Sequence, residues 1–144
     1  MFKKLLVATD GSALSQRAVD TAVGLARSLG ASLVGVAAVD AYPYAGVGQI
    51  DPLAYSEFQA RASAEAFDRL GALENAAKAA GVPCEALSRQ GAPPWRAILD
   101  TAADNGCDAI VMASHGRQGV SALILGSETQ HVLAQATIPV IVVR

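Results

Sequence analysis

The chain has 144 residues, the size of one ordinary domain, and we expect a single domain over residues 1–144. Its hydrophobic fraction is 52% and its charged fraction only 17%, a composition that excludes a disordered chain. The formal net charge of −2 argues against a nucleic-acid partner held by bulk charge.

The two cysteines, Cys84 and Cys107, form no Cys-x-x-Cys motif and stand apart from both histidines. They predict small buried side chains in a reducing compartment, and neither a disulfide framework nor a zinc site. The first apolar run, over residues 5–9, is too short for a signal-peptide core, and no stretch approaches the length of a membrane span. We therefore expect a cytoplasmic protein with no membrane partner.

The first part of the chain alternates short apolar runs with helical periodicity. Lys4 to Ala8 is typical of a buried strand. Apolar residues recur at intervals of three and four from Ala13 to Leu29, which predicts a helix, and Gly30 is suited to end it. Ser32 to Val39 predicts a second strand, and a loop over residues 40–51 follows.

The same alternation continues to the end of the chain. The further predicted elements are a helix over Pro52–Ala80, a strand over Cys84–Gln90, a helix between Pro93 and Asn105, a strand over Ala109–Ala113, a helix over Ser127–Ala136 and a strand over Ile138–Val143. Five strands separated by helices predict a parallel sheet covered on both faces, a three-layer α/β fold. Strand order does not follow from the alternation, but a ligand in such a sheet lies beyond the carboxyl ends of the strands, where the order reverses.

A polar segment follows the first predicted strand. Thr9 and Asp10 come directly after it, and Gly11 and Ser12 precede the first helix. A carboxylate at this point can face a ligand, but helix capping by Asp or Ser is at least as good an explanation of these residues. Ser12 is well placed to cap, and we expect this to leave Asp10 free.

A second polar segment follows the fourth predicted strand. Ser114, His115, Gly116 and Arg117, with Gly119 behind them, suit a main-chain cradle for a phosphate. Ser114 beside His115 could also suggest a nucleophile and its base. Adjacent residues seldom point the same way, however, and no third orienting group is evident, so we favour a loop-building role for His115.

A third polar segment opens the last predicted helix. Gly126 allows a close approach of the backbone to a ligand, and Ser127 can either cap the helix or donate to a phosphate. A helix N-terminus favours anions, although Glu128 is also typical of a plain first turn. The start of a single helix does not require two glycine-bearing segments after the fourth strand, so their presence favours phosphate binding.

Other nucleotide-binding motifs do not occur in the sequence. There is no Gly-x-x-x-x-Gly-Lys-[Ser/Thr] run, and Gly46-Val47-Gly48 lacks the third glycine of a dinucleotide fingerprint. A receiver-type phosphoacceptor site requires a lysine late in the chain, but no lysine follows Lys78. Tyr42 and Tyr44 could cover a nucleotide, but such residues more often anchor a loop.

With these segments in place, the whole chain resembles the universal stress protein family. Nucleotide-binding members carry the pattern Gly-x2-Gly-x9-Gly-[Ser/Thr], which falls here on Ala113, Gly116, Gly126 and Ser127 with the family spacing. Alanine replaces the first glycine. The segment from Ala8 to Ser12 and the Pro-Val-Ile-Val-Val ending also resemble the family's first and last strands.

The resemblance implies an adenine nucleotide alpha-hydrolase-like sheet of order 3-2-1-4-5, with ATP between strands one and four and Mg²⁺ carried by its phosphates without a direct protein ligand. The implied contacts are Asp10 at the ribose or base, the main chain near Val39 and Met112 at the adenine, and Gly116, Gly126, Ser127 and Thr129 at the phosphates, with Ala8, Thr9, Ala113, His115, Arg117 and Glu128 beside them.

The resemblance also implies a homodimer through Ile138 to Val143. An exposed apolar edge strand needs such cover, which supports the same expectation physically. The function it implies is an ATP-binding stress-response regulator or sensor, with no catalytic residues and at most slow ATP hydrolysis. One alternative is a dimeric interaction or chaperone-like module that binds no nucleotide, which the alanine at position 113 favours. The third hypothesis is a hydrolase or transferase that uses Ser114 and His115.

Overall fold

The structure is a computed structural model that describes residues 1–44, 46–116 and 124–144. Its elements, in chain order, are β1 (Lys4–Ala8), α1 (Ala13–Leu29), β2 (Ser32–Val39), α2 (Pro52–Ala79), β3 (Cys84–Gln90), α3 (Pro94–Asp104), β4 (Ala109–Ala113), α4 (Ser127–Gln135) and β5 (Val140–Val143). The alternation of strands and helices predicted from the sequence is therefore confirmed, with bounds that agree to within one or two residues.

The five strands form one parallel sheet in the order β3-β2-β1-β4-β5, as the family resemblance implied. Val7 in the central strand pairs with Gly35 of β2 on one side and with Val111 of β4 on the other. The chain leaves β1 towards β2 and β3, then returns past β1 to β4 and β5. The strand order therefore reverses between β1 and β4.

Helices cover both faces of the sheet, which makes the fold three-layered. One apolar core joins alternate sheet residues such as Leu5 and Val7 to α1 and α2, and the other joins Leu6 and its neighbours to α3 and α4. Gly35 lets α2 approach the sheet, since a Cβ atom there would lie 1.9 Å from Cδ2 of buried Leu73. A larger residue at position 35 would push α2 away from the sheet.

The last strand is shorter than predicted, because it begins at Val140 and not at Ile138. Proline at position 139 has no N–H to donate to a strand ladder, although its carbonyl accepts a 2.9 Å hydrogen bond from the Ile110 N–H. Gly30 ends α1 in a left-handed conformation (φ 65°), as predicted.

The two cysteines are free and pack on opposite sides of the sheet. Cys107 is buried as predicted, but Cys84 is only half-buried. Burial, helped by the charges of Glu74 and Glu85, raises the pKa of the Cys84 thiol to about 11. Burial also raises the pKa of Cys107. Both thiols are therefore protonated and poorly reactive near neutral pH. Within the described ranges, no helix is long and apolar enough to cross a membrane.

Candidate functional site

A cavity of about 610 Å³ opens at the carboxyl ends of the strands, over the point where the strand order reverses. Twelve of the residues that were predicted to contact the nucleotide line this cavity: Ala8, Thr9, Asp10, Val39, Met112, Ala113, His115, Gly116, Gly126, Ser127, Glu128 and Thr129. The one other predicted residue, Arg117, lies outside the described residues. The three polar segments of the sequence analysis thus meet around a single space, together with the end of β2.

The turn after β1 is built by side chains that bond to its own main chain. Ser12 caps α1, as predicted, by accepting a hydrogen bond from the Ser15 N–H at 3.1 Å. Asp10 accepts a hydrogen bond from the Ser12 N–H at 2.9 Å. The expectation that capping by Ser12 leaves Asp10 free is therefore wrong, because the short Asp side chain folds back onto the turn, as Asx residues commonly do.

Asp10 also fixes how closely the segment after β4 can approach. A Cβ atom at position 116 would lie 2.6 Å from Oδ2 of Asp10, so only glycine fits against this carboxylate without displacing it. Gly116 has no positive φ, and its role is to leave space. The carboxylate of Asp10, just after β1, and Gly116, the second motif position, thus lie against each other at the cavity wall.

Gly126 brings the start of α4 against the end of β4. Its N–H donates to the Ser114 carbonyl at 2.8 Å, and a Cβ atom there would lie 3.1 Å from Cα of His115. The buried Thr129 hydroxyl is 3.0 Å from the carbonyls of both Ala113 and Ser114, to which it donates. Thr129 lines the cavity, but its hydroxyl proton is used to hold the two segments together.

The N-terminus of α4 faces the cavity without a capping side chain. The cap position is Gly126, and Ser127 is the first helical residue, so the alternative that Ser127 caps the helix is wrong. The first main-chain hydrogen bond of the helix is donated by Gln130, which leaves the N–H groups of Ser127, Glu128 and Thr129 outside the helical ladder. Such N–H groups attract anions.

Glu128 has a structural partner that the sequence did not indicate. Its Oε2 accepts a 2.7 Å hydrogen bond from the Trp95 N–H, in the first turn of α3. Proline at position 93 gives α3 no side-chain cap, so Glu128 supplies one from the neighbouring helix. Trp95 also stacks on His131 of α4, with ring centroids 5.4 Å apart. These contacts join α3 to α4 beside the cavity.

The Ser114 hydroxyl is 3.2 Å from Nδ1 of His115, so these adjacent side chains do meet, contrary to expectation. Ser114 is only 3% exposed, and it does not line the cavity. Its main-chain N–H and C=O bond to Val143 and Gly126. A nucleophile must reach its substrate, and this hydroxyl is enclosed, which favours the loop-building role for His115.

Ala113 occupies ordinary strand backbone at the end of β4. No non-glycine residue in the described part of the chain has a positive φ, so this position does not require the conformational freedom of glycine. Its side chain is buried, and it lines the cavity beside Met112. Alanine at the first motif position is therefore compatible with the observed backbone.

The sequence reasoning missed the walls that α2 and α3 contribute. These further lining residues are Phe58, Arg61, Ala62, Glu65 and Arg69 from α2 and Pro94, Ala97 and Ile98 from α3. The four-residue spacing of Arg61, Glu65 and Arg69 indicates one helix face, but it does not indicate what that face covers.

The loop before α2 is anchored to that helix by aromatic rings. Tyr42 meets Tyr44, Tyr55 and Phe58 edge to face, with centroids 5.3–5.7 Å apart. Tyr42 therefore anchors the loop, which is the second of the two roles considered for the tyrosines. Through its contact with Phe58, it also supports the cavity wall.

The model of the universal stress protein family matches residues 1–144. The chain belongs to the universal stress protein family. It is 34% identical over 149 residues to universal stress protein YxiE of Bacillus subtilis and 38% identical over 146 residues to a universal stress protein of Thermus aquaticus. Each alignment covers 100% of both chains.

Solved structures have the same fold. Hypothetical protein MJ0577 matches with a TM-score of 0.85 at 24% identity, covering 99% of this chain and 96% of that one. A universal stress protein in complex with cAMP matches with a TM-score of 0.72 at 26% identity, covering 99% and 97%. One from Archaeoglobus fulgidus in complex with dAMP matches with a TM-score of 0.71 at 22% identity, covering 100% and 98%.

Proposed function

We propose that this universal stress protein binds an adenine nucleotide in the cavity between β1 and β4, with ATP as the ligand and Mg²⁺ carried by its phosphates. In this proposal it acts as a stress-response regulator or sensor. The observation that carries the proposal is the meeting of Asp10, Gly116 and the uncapped N-terminus of α4 in one cavity.

The phosphate end of the proposed ligand lies at α4. The N–H groups of Ser127, Glu128 and Thr129 lie outside the helical ladder, and the helix dipole adds a partial positive charge. Gly116 and Gly126 keep side chains away from this end. In the proposal, the main chain of α4 and the Ser127 hydroxyl donate to the phosphates, while Thr129 positions the main chain.

The nucleoside end lies over β2 and β4. Val36, Val39, Met112 and Ile98 supply apolar wall there, and the main chain near Val39 and Met112 reads the adenine in our proposal. Cavities of about 300–1,000 Å³ are typical of small-molecule sites, so the cavity volume suits a nucleotide. The complexes of two relatives with cAMP and dAMP support an adenine nucleotide as the ligand class.

We also propose that the protein is a homodimer through β5. This strand forms one edge of the sheet, and its four apolar residues are half-buried within the single chain. The carbonyls of Pro139 and Val143 point to β4. Main-chain groups alternate along a strand, so those of Val140 and Val142 point outwards and can pair with a second copy.

One observation favours the alternative of a module that binds no nucleotide. The carboxylates of Asp10, Asp40, Glu65 and Glu128 line the cavity, against two described cationic side chains, Arg61 and Arg69. This balance of charge opposes a polyphosphate unless the main chain and the arginines outweigh it.

Titration calorimetry with Mg-ATP, ADP and AMP tests the proposal, together with mass spectrometry of the small molecules released from freshly purified protein. We expect binding at submillimolar nucleotide with one site per chain, and weaker binding of Mg-GTP because the base is read by the main chain. A protein that is purified empty and gives no heat with any of these nucleotides would support the alternative module.

A further inference from the structure

The cavity wall contributed by α2 carries cationic side chains that neither the family motif nor the sequence analysis assigned. Arg61, Glu65 and Arg69 follow one another at intervals of four residues, and all three line the cavity. Residues so spaced lie on one face of a helix. Of the two arginines, Arg69 is the one built into the site.

Arg69 crosses the turn that joins β1 to α1. A Cβ atom at position 11 would lie 3.2 Å from both Cγ and Nε of Arg69, so the side chain lies directly over Gly11. Only glycine serves at position 11, because its φ is +80° as well. The side chain of Arg69 is 16% exposed, so this contact holds it in place.

Gly11 connects Arg69 to the proposed phosphate site. The preceding residue is Asp10, whose Oδ2 lies against Gly116, the first intact glycine of the motif. Arg69, Gly11, Asp10 and Gly116 therefore form one continuous chain of contacts, and all of them except Gly11 line the cavity.

In the structure the guanidinium is paired with an acid that can be replaced. Nη2 of Arg69 is 3.2 Å from Oε2 of Glu65, whose side chain is 52% exposed. A partly exposed i,i+4 pair with one contact contributes little stability. A phosphate oxygen pair offers a guanidinium stronger, bidentate hydrogen bonds.

We propose that Arg69 selects nucleotides by the length of their phosphate tail, and that Glu65 competes with the tail for the guanidinium. The inference rests on the proposed function. A monophosphate held at the N-terminus of α4 leaves Arg69 with Glu65. A polyphosphate tail that extends towards Gly116 and Asp10 takes the guanidinium from Glu65 and offsets the acidic lining of the cavity.

The test compares the dissociation constants of Mg-ATP and AMP in the full chain. Loss of a charged hydrogen-bond partner in Arg69→Gln should weaken Mg-ATP binding about tenfold and change AMP binding less than about twofold. Glu65→Gln should tighten Mg-ATP binding, because the guanidinium loses its competitor. Arg69→Lys keeps the charge and the aliphatic stem over Gly11, and should give an intermediate value.

Arg27→Gln is the matched control, because it removes the same charge from an exposed position at the far end of α1. It should leave the ratio of the two constants unchanged. An unchanged ratio of the two constants in Arg69→Gln would overturn the inference, whether neither affinity changes or both fall equally. Weaker Mg-ATP binding in Glu65→Gln would overturn it too. Either result would leave the proposed function standing. A wild-type protein that binds neither nucleotide would overturn both.

Discussion

Single atoms decide how closely the walls of the cavity approach one another. At positions 116 and 126 the side chain is a hydrogen atom, and Asp10 and the His115 backbone occupy the space that a Cβ atom would need. Neither glycine has a positive φ, so these positions require glycine for close packing and not for a left-handed backbone. The spacing of the motif therefore records where two loops touch, and in our proposal it also marks where the nucleotide binds.

Gly126→Val should abolish binding of Mg-ATP, since the added atoms displace either the His115 backbone or the start of α4. Overpacking of this kind also costs about 1–3 kcal/mol of the free energy of unfolding, which leaves the fold intact. Calorimetry and urea denaturation measure the two effects. Gly24→Val is the control, because nothing lies within 4 Å of a Cβ atom there. Unchanged affinity in Gly126→Val would contradict the site.

At the scale of elements, α3 and α4 stabilise each other through their first turns. Glu128 lies in the first turn of α4 and caps α3 through the Trp95 N–H, while Trp95 stacks on His131. An acid in the first turn of a helix is commonly explained by its own helix dipole. Here the hydrogen bond to α3 explains the acid at position 128 more directly.

Glu128→Ala should lower the free energy of unfolding by about 0.5–2 kcal/mol, the usual effect of removing a helix cap. Glu128→Gln keeps an acceptor oxygen and should lose less. Urea denaturation followed by the fluorescence of Trp95, the one tryptophan of the chain, measures both variants. Glu57→Ala, at an exposed position of α2, serves as the control. Equal stability of Glu128→Ala and Glu57→Ala would show that the hydrogen bond contributes nothing.

At the scale of the molecule, the proposed dimer depends on the outward edge of β5. Val142→Pro removes an N–H that points away from β4, and proline is tolerated at such an edge. We expect a monomer by light scattering coupled to size-exclusion chromatography, while the wild type and the loop variant Ile50→Pro remain dimers. A dimeric Val142→Pro protein with an unchanged circular dichroism spectrum would place the interface elsewhere.

Much of the candidate site was predictable, because the reversal of strand order gathers the polar strand ends at one place. The segments at Asp10, Gly116 and Gly126 were found in this way. Arg69 and Glu65 were not, since charged residues at four-residue spacing on a long helix are typical of any solvated face. The hydrogen-bond partners of Thr129 and Glu128 were missed because they belong to other elements, β4 and its following loop for Thr129 and α3 for Glu128.

The sequence by itself determined the elements, their order and the positions of the motif residues, because periodicity, caps and glycines act over a few neighbouring residues. The strand order came from the family resemblance, and the structure confirms it. Only the tertiary structure decided which polar groups are already used by the protein, as with Asp10 and Thr129. It also placed Arg69 over Gly11. Contacts between distant segments depend on how helices pack on the sheet, which local residue patterns do not encode.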